Sequence, residues 1–372
     1  MARLQASVDV IIIGGGQAAL STAYFLKRKK IPFIILDDQK QAGGSWQHAW
    51  ESLVLFSQNT WSSLSGWLMP STEKSTPTRN EVVQYLAAYE QRYQFPIIRP
   101  VHVENVASDG EYLEVYSGEM YWRAKAVVSA TGTWSQPFIP TYEGQETFQG
   151  IQIHSAFYKN AEPFRNKKVV VIGGGNSGAQ IFAEVSKVTQ AIWVTATPPK
   201  FLPDDVDGRT LFLKATERLK KQQESGIIEP DQSVGGLGYI VMTDSVKEAR
   251  DRGVLFSRRP FTSFTYNSVV WPDESEEPID AVIWCTGFRA ELNHLRNLNI
   301  VEPNNTIAVA GGRSLKVDNI WLVGYGEWTG MASATIIGVS RTSREAVDEI
   351  ETYLAKNKKS MAVVDKTKYL SE

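Results

Sequence analysis

Cysteine is almost absent from this chain: Cys285 is the only one among 372 residues. A disulfide framework, a cysteine zinc site and a Cys-x-x-Cys redox pair are thereby excluded, and a reducing, cytoplasmic setting is expected. An excess of charge is also missing. The formal net charge is −2, so neither nucleic acid nor an anionic membrane is an expected partner. No apolar run approaches the ~20 residues of a membrane span. The N-terminus lacks the charged-then-apolar order of a signal peptide. His48, His102 and His294 show no ligand spacing, so no metal is expected. What remains is a globular composition, 42% hydrophobic and 22% charged, on a chain long enough for two domains.

Two glycine-rich turns stand far apart in it. The first reads Val10-Ile11-Ile12-Ile13-Gly14-Gly15-Gly16-Gln17-Ala18-Ala19, the second Val169-Val170-Val171-Ile172-Gly173-Gly174-Gly175-Asn176-Ser177-Gly178. Each follows an apolar β-branched run and opens a helix-compatible segment. A dinucleotide pyrophosphate needs this arrangement. The first glycine makes the tight turn, the second admits the phosphates close to the backbone, and a third small residue lets helix pack on strand. The helix N-terminus then offers free N–H groups to the anion. Two such turns predict two dinucleotides in one protein, with electrons passing between them.

The hydrophobic pattern predicts strands at 8–13, 31–36, 126–130, 167–172, 191–195, 280–286 and 320–323, with short strands between 101 and 121. Helices are expected at 18–29, 80–93 (with Asn80 as N-cap), 177–186, 208–223, 244–252 and 332–354. Asp37 follows Gly16 by about 20 residues, where an acid meets the adenosine ribose. The fold class is therefore α/β, with two Rossmann-like dinucleotide-binding domains, one inserted into the other. Residues 1–160 and 280–372 form the first and 161–279 the second.

The second unit ends its strand as Val194-Thr195-Ala196-Thr197-Pro198. No acid stands there to grip a ribose diol and no arginine to pair a 2′-phosphate; Lys200 lies close in sequence. The site reads as permissive between NADH and NADPH, or as one that has lost tight cofactor binding.

Phe148-Gln149-Gly150-Ile151-Gln152-Ile153-His154-Ser155-Ala156-Phe157-Tyr158 lies between the two turns. It resembles the FxGxxxHxxxY fingerprint of flavin-containing monooxygenases, placed where that family carries it. The Gly43-Gly44-Ser45-Trp46 turn and the strand ends Ser129-Ala130-Thr131-Gly132 and Cys285-Thr286-Gly287-Phe288 are similar to that family too. The likeness runs from about residue 8 to 350 and is greatest to short bacterial members that accept NADH as well as NADPH. The resemblance implies FAD at Gly14, Gly16, Gln17, Ala19, Asp37, Gly44, Ser45, Trp46 and Thr131. It implies NADPH or NADH at Gly173, Gly175, Asn176, Ser177, Gly178, Thr195, Ala196 and Thr197. Ala196 replaces the arginine usual in the family, and Glu327 stands near where a Gly-Asp pair often meets the ribityl chain.

The chemistry so implied is hydride reduction of the flavin, formation of a peroxyflavin with O2, and transfer of one oxygen atom to a sulfide, an amine or a ketone (Baeyer-Villiger). The candidate catalytic residues are His154, which would organise the domain junction, and Asn59, which would donate a hydrogen bond from the aromatic loop. Each has a plain alternative: an interface histidine and an ordinary polar loop residue. Trp46 and Trp50 either flank the flavin ring or pack a core. An NAD(P)H oxidase, a flavin-dependent reductase and a nucleotide-sensing module are the competing functions. The expected partners are a small-molecule substrate and O2; a homodimer stays open.

Overall fold

Val10–Ile13 has no polar side chain, and a strand of such residues must be covered on both faces. The computed structural model, which describes residues 2–71, 76–206, 210 and 239–368, shows how. β1 (Arg3–Ile13) sends Val10 and Ile12 into one core and Ile11 and Ile13 into another, on opposite sides of its sheet. The first core lies under α1 (Gln17–Arg28) and α2 (Arg79–Tyr93) and the last helix; the second is closed by a β-meander and the segment around Leu292–Ile307.

Among the described residues the sheet has nine strands. β1 pairs in parallel with β2 (Phe33–Leu36), which pairs with β3 (Ile97–Ile98). β4 (Asn105–Ser108), β5 (Leu113–Ser117) and β6 (Met120–Ser129) form the meander, and β6 lies parallel to β1 on its other side.

The second sheet repeats the plan. β7 (Ile151–His154), β8 (Val169–Ile172), β9 (Ala191–Val194) and β10 (Ser257–Arg258) belong to it. A small antiparallel sheet, β11 (Ser263–Phe264), β12 (Ser268–Val270) and β13 (Glu276–Pro278), precedes β14 (Ala281–Trp284). The order β10-β9-β8-β14-β7 is parallel throughout. α3 (Asn176–Val185) follows β8 and packs on α4 (Asp244–Asp251). The chain then re-enters the first sheet through β15 (Val309–Ala310), β16 (Arg313–Ser314) and β17 (Ile320–Leu322), which pairs with β6. α5 (Ile336–Lys368) ends it, packed on α1.

Strand order reverses between β1 and β6 in one sheet and between β8 and β14 in the other. In an open parallel sheet such a reversal leaves a crevice beyond the carboxyl ends of the strands. Both glycine turns open onto such a crevice.

Three expectations need correction, and a fourth is not covered by the described residues. β7 pairs with β14 and β14 with β8, not with the first sheet, so the inserted unit takes in Ile151–His154 and Ala281–Trp284; the boundaries at 160 and 280 cut through it. Thr78, not Asn80, caps α2: its hydroxyl accepts from Glu81 N–H while Glu81 reaches back to Thr78 N–H at 2.6 Å. Residues 331–334 form turns, with Ala332 at φ 59°, so the last helix starts at Ile336 and runs beyond 354. The expected helix at 208–223 lies outside the described residues, apart from helical Thr210.

Candidate functional site

Gly14 and Gly173 do the same work in the two units. Both have positive φ, 105° and 139°, and each presses on the end of the neighbouring strand. A Cβ on Gly14 would lie 2.5 Å from the Ala130 carbonyl oxygen, and one on Gly173 would collide with that of Cys285. These glycines are required by the protein itself. Gly16 and Gly175 differ. Each precedes its helix in an extended conformation with no side-chain cap. A Cβ on Gly16 would meet only Gly44 Cα at 3.9 Å, and one on Gly175 nothing within 4 Å. The backbone leaves open space in front of uncapped helix N–H groups, the cradle an anion fills. Gly178 sits against the Gly173 carbonyl and Ala19 is fully buried, so the third small residue brings helix and strand together in both units.

The first turn opens into a cleft of about 650 Å³. Gly14, Gly16, Gln17, Asp37, Gly44, Ser45, Trp46 and Thr131 line it, so eight of the nine residues expected on the FAD side meet there. Ala19 lies behind the wall. Gly44, at φ 53°, rests directly on Gly16, where a Cβ would come within 2.6 Å of its Cα. Gln17 ties the walls together. Its amide nitrogen donates to the Ala334 carbonyl at 2.7 Å, and its oxygen accepts from Trp46 Nε1 at 2.9 Å. Asp37 is held by Arg99 (Nη2 to Oδ2, 2.9 Å), which also forks onto Glu90. Burial pushes the Asp37 carboxyl up against the pull of Arg99.

The base of the cleft is a hydrogen-bonded chain that the sequence did not announce. Thr131 Oγ1 donates to the Glu291 carbonyl at 2.6 Å and lies 2.6 Å from the Tyr325 hydroxyl. That hydroxyl also takes the Thr131 N–H and neighbours Ser129 Oγ, which lies 3.0 Å from His294 Nε2. Donor counting orders the chain: His294 Nε2–H to Ser129, Ser129 to Tyr325, Tyr325 to Thr131. Burial pushes His294 down to about 4 and Tyr325 up to about 12, so both are neutral at pH 7.

Other expected residues fall elsewhere. Asn59 is buried, but its amide donates to the Pro70 carbonyl at 2.8 Å and does not line the cleft. Glu327 is exposed and outside the cleft lining. Trp50 packs in the core of the second sheet. Asn176 uses its side chain to hold the Tyr239–Val241 segment, with Oδ1 accepting from Val241 N–H at 2.8 Å. Thr195 is buried at the end of β9, whereas Ala196 and Thr197 are exposed. His154, at the end of β7, accepts the Ala156 N–H on Nδ1 at 3.1 Å. Its Nε2 is buried without a hydrogen-bond partner among the described residues, although the Gly287 backbone lies near enough to oppose the effect of burial, which lowers its pKa. Rings link this point to the cleft. His154 meets Phe288 edge-on at 4.9 Å, Phe288 meets Trp134 at 5.6 Å, and Trp134 stacks on His48 at 5.4 Å. Trp134 and His48 line the cleft.

Residues 11–229 match the family described as pyridine nucleotide-disulphide oxidoreductase. The flavin-containing monooxygenase from Stenotrophomonas maltophilia has a similar structure. It is 47% identical, covers 94% of this chain and 100% of its own, and superposes with a TM-score of 0.86. The chain belongs to the flavin-containing monooxygenases. This monooxygenase is also 28% identical over 342 residues to the Bacillus subtilis oxidoreductase CzcO, covering 92% of the chain and 99% of that relative. The bacillithiol disulfide reductase of Staphylococcus aureus shares the fold at 17% identity (TM-score 0.70, 95% of this chain and 99% of that one). The enzyme is FAD-dependent and uses NADPH or NADH and O2. Its substrate is a small molecule. Among the described residues no helix is long and apolar enough to cross a membrane.

Proposed function

We propose that this monooxygenase binds FAD in the first cleft and NADPH or NADH at the second glycine turn, and transfers one oxygen atom from O2 to a sulfide, an amine or a ketone. The observation that carries the reading is the doubled crevice: two uncapped helix N-termini, each fronted by a glycine with open space before it. Bound flavin supplies the redox chemistry, accepting hydride from the coenzyme and passing electrons to O2. The protein binds, orients and excludes water. N–H groups at Gly16–Ala18 would hold the pyrophosphate and Asp37 the adenosine ribose, while Trp46 and the Thr131–Tyr325 hydroxyls line the rest of the cleft.

A dithiol outlet for the electrons is not supported. Cys285 stands alone in the sequence, and burial of its sulfur pushes the thiol pKa up to about 12 although the residue keeps some surface. That favours oxygen as the acceptor. The rival outcome is an oxidase, in which the electrons leave as hydrogen peroxide.

His154 is assigned a positioning role at the junction, holding Phe288 and through it Trp134 over the cleft mouth. His154→Ala should therefore leave anaerobic flavin reduction within about twofold but raise peroxide released per coenzyme several-fold, because water enters a loosened site. The check is parallel measurement of coenzyme oxidised, peroxide formed and sulfoxide formed. Unchanged coupling in that variant would remove His154 from the account, and complete conversion to peroxide in the wild type would favour the oxidase.

A further inference from the structure

The end of β9 lacks the arginine that would pair a coenzyme 2′-phosphate, but the next strand outward brings one to the same place. β10 runs parallel to β9, with Ser257 opposite Trp193 and Arg258 opposite Val194. Thr195 N–H donates to the Arg258 carbonyl at 3.0 Å. Its hydroxyl donates to Ser257 Oγ at 2.9 Å, and Arg259 Nη2 donates to the same oxygen at 2.9 Å. Thr195 itself lies against the glycine turn, its Cβ 3.5 Å from where a Gly174 Cβ would stand. The Arg259 guanidinium thus sits at the rim of the second crevice, one hydroxyl away from Thr195.

The nearby cations are otherwise engaged. Arg258 pairs with Glu277 at 2.6 Å and lies 3.5 Å over the Trp271 ring. Lys200 lies over Tyr239. Arg259 is exposed and has no carboxylate partner among the described residues. In a βαβ nucleotide fold the adenosine ribose lies beyond the second strand of the unit, here β9. Ala196 and Thr197, small and exposed there, neither repel nor block a phosphate.

We propose that Arg259 is the specificity residue that reads the 2′-phosphate of NADPH, supplied from the end of β10 in place of the missing arginine on β9. This rests on the reading of the second glycine turn as the coenzyme site. The test is calorimetric titration of the FAD-loaded enzyme with NADP⁺ and NAD⁺, for the wild type, Arg259→Gln and Arg259→Lys. Arg259→Gln should weaken NADP⁺ about tenfold, leave NAD⁺ within about twofold and flatten the salt dependence of NADP⁺ binding, with Arg259→Lys intermediate. Equal effects on both coenzymes, or none on either, would overturn the assignment of Arg259 while leaving the site intact. A wild type that binds neither coenzyme would overturn the site and the assignment together.

Discussion

Gly14 and Gly16 are two residues apart and separate folding from cofactor binding. Gly14 has positive φ and a carbonyl oxygen against its open face. Gly14→Ala should cost stability by about 1–3 kcal/mol in denaturant unfolding. Gly16 has an ordinary extended conformation and only Gly44 nearby. Gly16→Val should fold yet purify with little flavin, read as the ratio of visible to protein absorbance. Full flavin content in a folded Gly16→Val protein would contradict the assignment of the first turn. His294 gives a second test at this scale. Its folded pKa, about 4, lies below the unfolded value, so the unfolded chain binds the proton more tightly. Its contribution is complete above about pH 6.5 and is lost as pH falls towards 4, a change of about 3 kcal/mol. Wild type should lose stability across that window in urea unfolding and His294→Gln should lose less. Parallel losses would contradict the buried neutral histidine. The glycines were legible because their spacing carries their reason. The partners of Gln17, Asn59 and Asn176 were not, since each amide is committed to a carbonyl or N–H that only the folded chain brings near. Tyr325, His294 and Arg99 gave no local signal for the same reason.

The unit that matters among the elements is strand, glycine turn and helix, used twice. In each, alternate apolar residues cover both faces of the strand while the uncapped helix end faces the crevice. The second copy ends its β9 strand without acid or arginine, so coenzyme choice rests on few contacts. NADH and NADPH should both reduce the flavin, within about 1–2 kcal/mol of each other in kcat/KM. Ala196→Arg adds a second charge-assisted phosphate contact and should shift the ratio about tenfold towards NADPH, measured as anaerobic flavin reduction. A ratio that does not move would place the ribose away from Ala196. The strand-turn-helix pattern was readable from its periodicity. The start of α2 was less so: Asn80 and Thr78 are both good caps, and only the reciprocal bond to Glu81 decides between them. The beginning of α5 was obscured because the apolar pattern continues through the turns at 331–334.

Among the described residues a parallel five-stranded sheet is inserted into a mixed nine-stranded one, with two crossings of the chain between them. The nested order was visible in the sequence, but the crossings were not placed correctly. β14 is an apolar strand that would suit either sheet, β7 (Ile151-Gln152-Ile153-His154) alternates too briefly to be read as a strand, and pairing alone assigns them. The ring series from His154 to His48 runs from the end of β7 to the first cleft. That arrangement, together with a lone buried thiol, supports electrons arriving from the coenzyme and leaving to O2. The direct measurement is turnover of an organic sulfide under ¹⁸O2, with mass spectrometry of the product. One labelled oxygen atom per sulfoxide, formed in step with coenzyme oxidation, is the result the account predicts. Unlabelled sulfoxide, or recovery of every coenzyme equivalent as hydrogen peroxide, would contradict it.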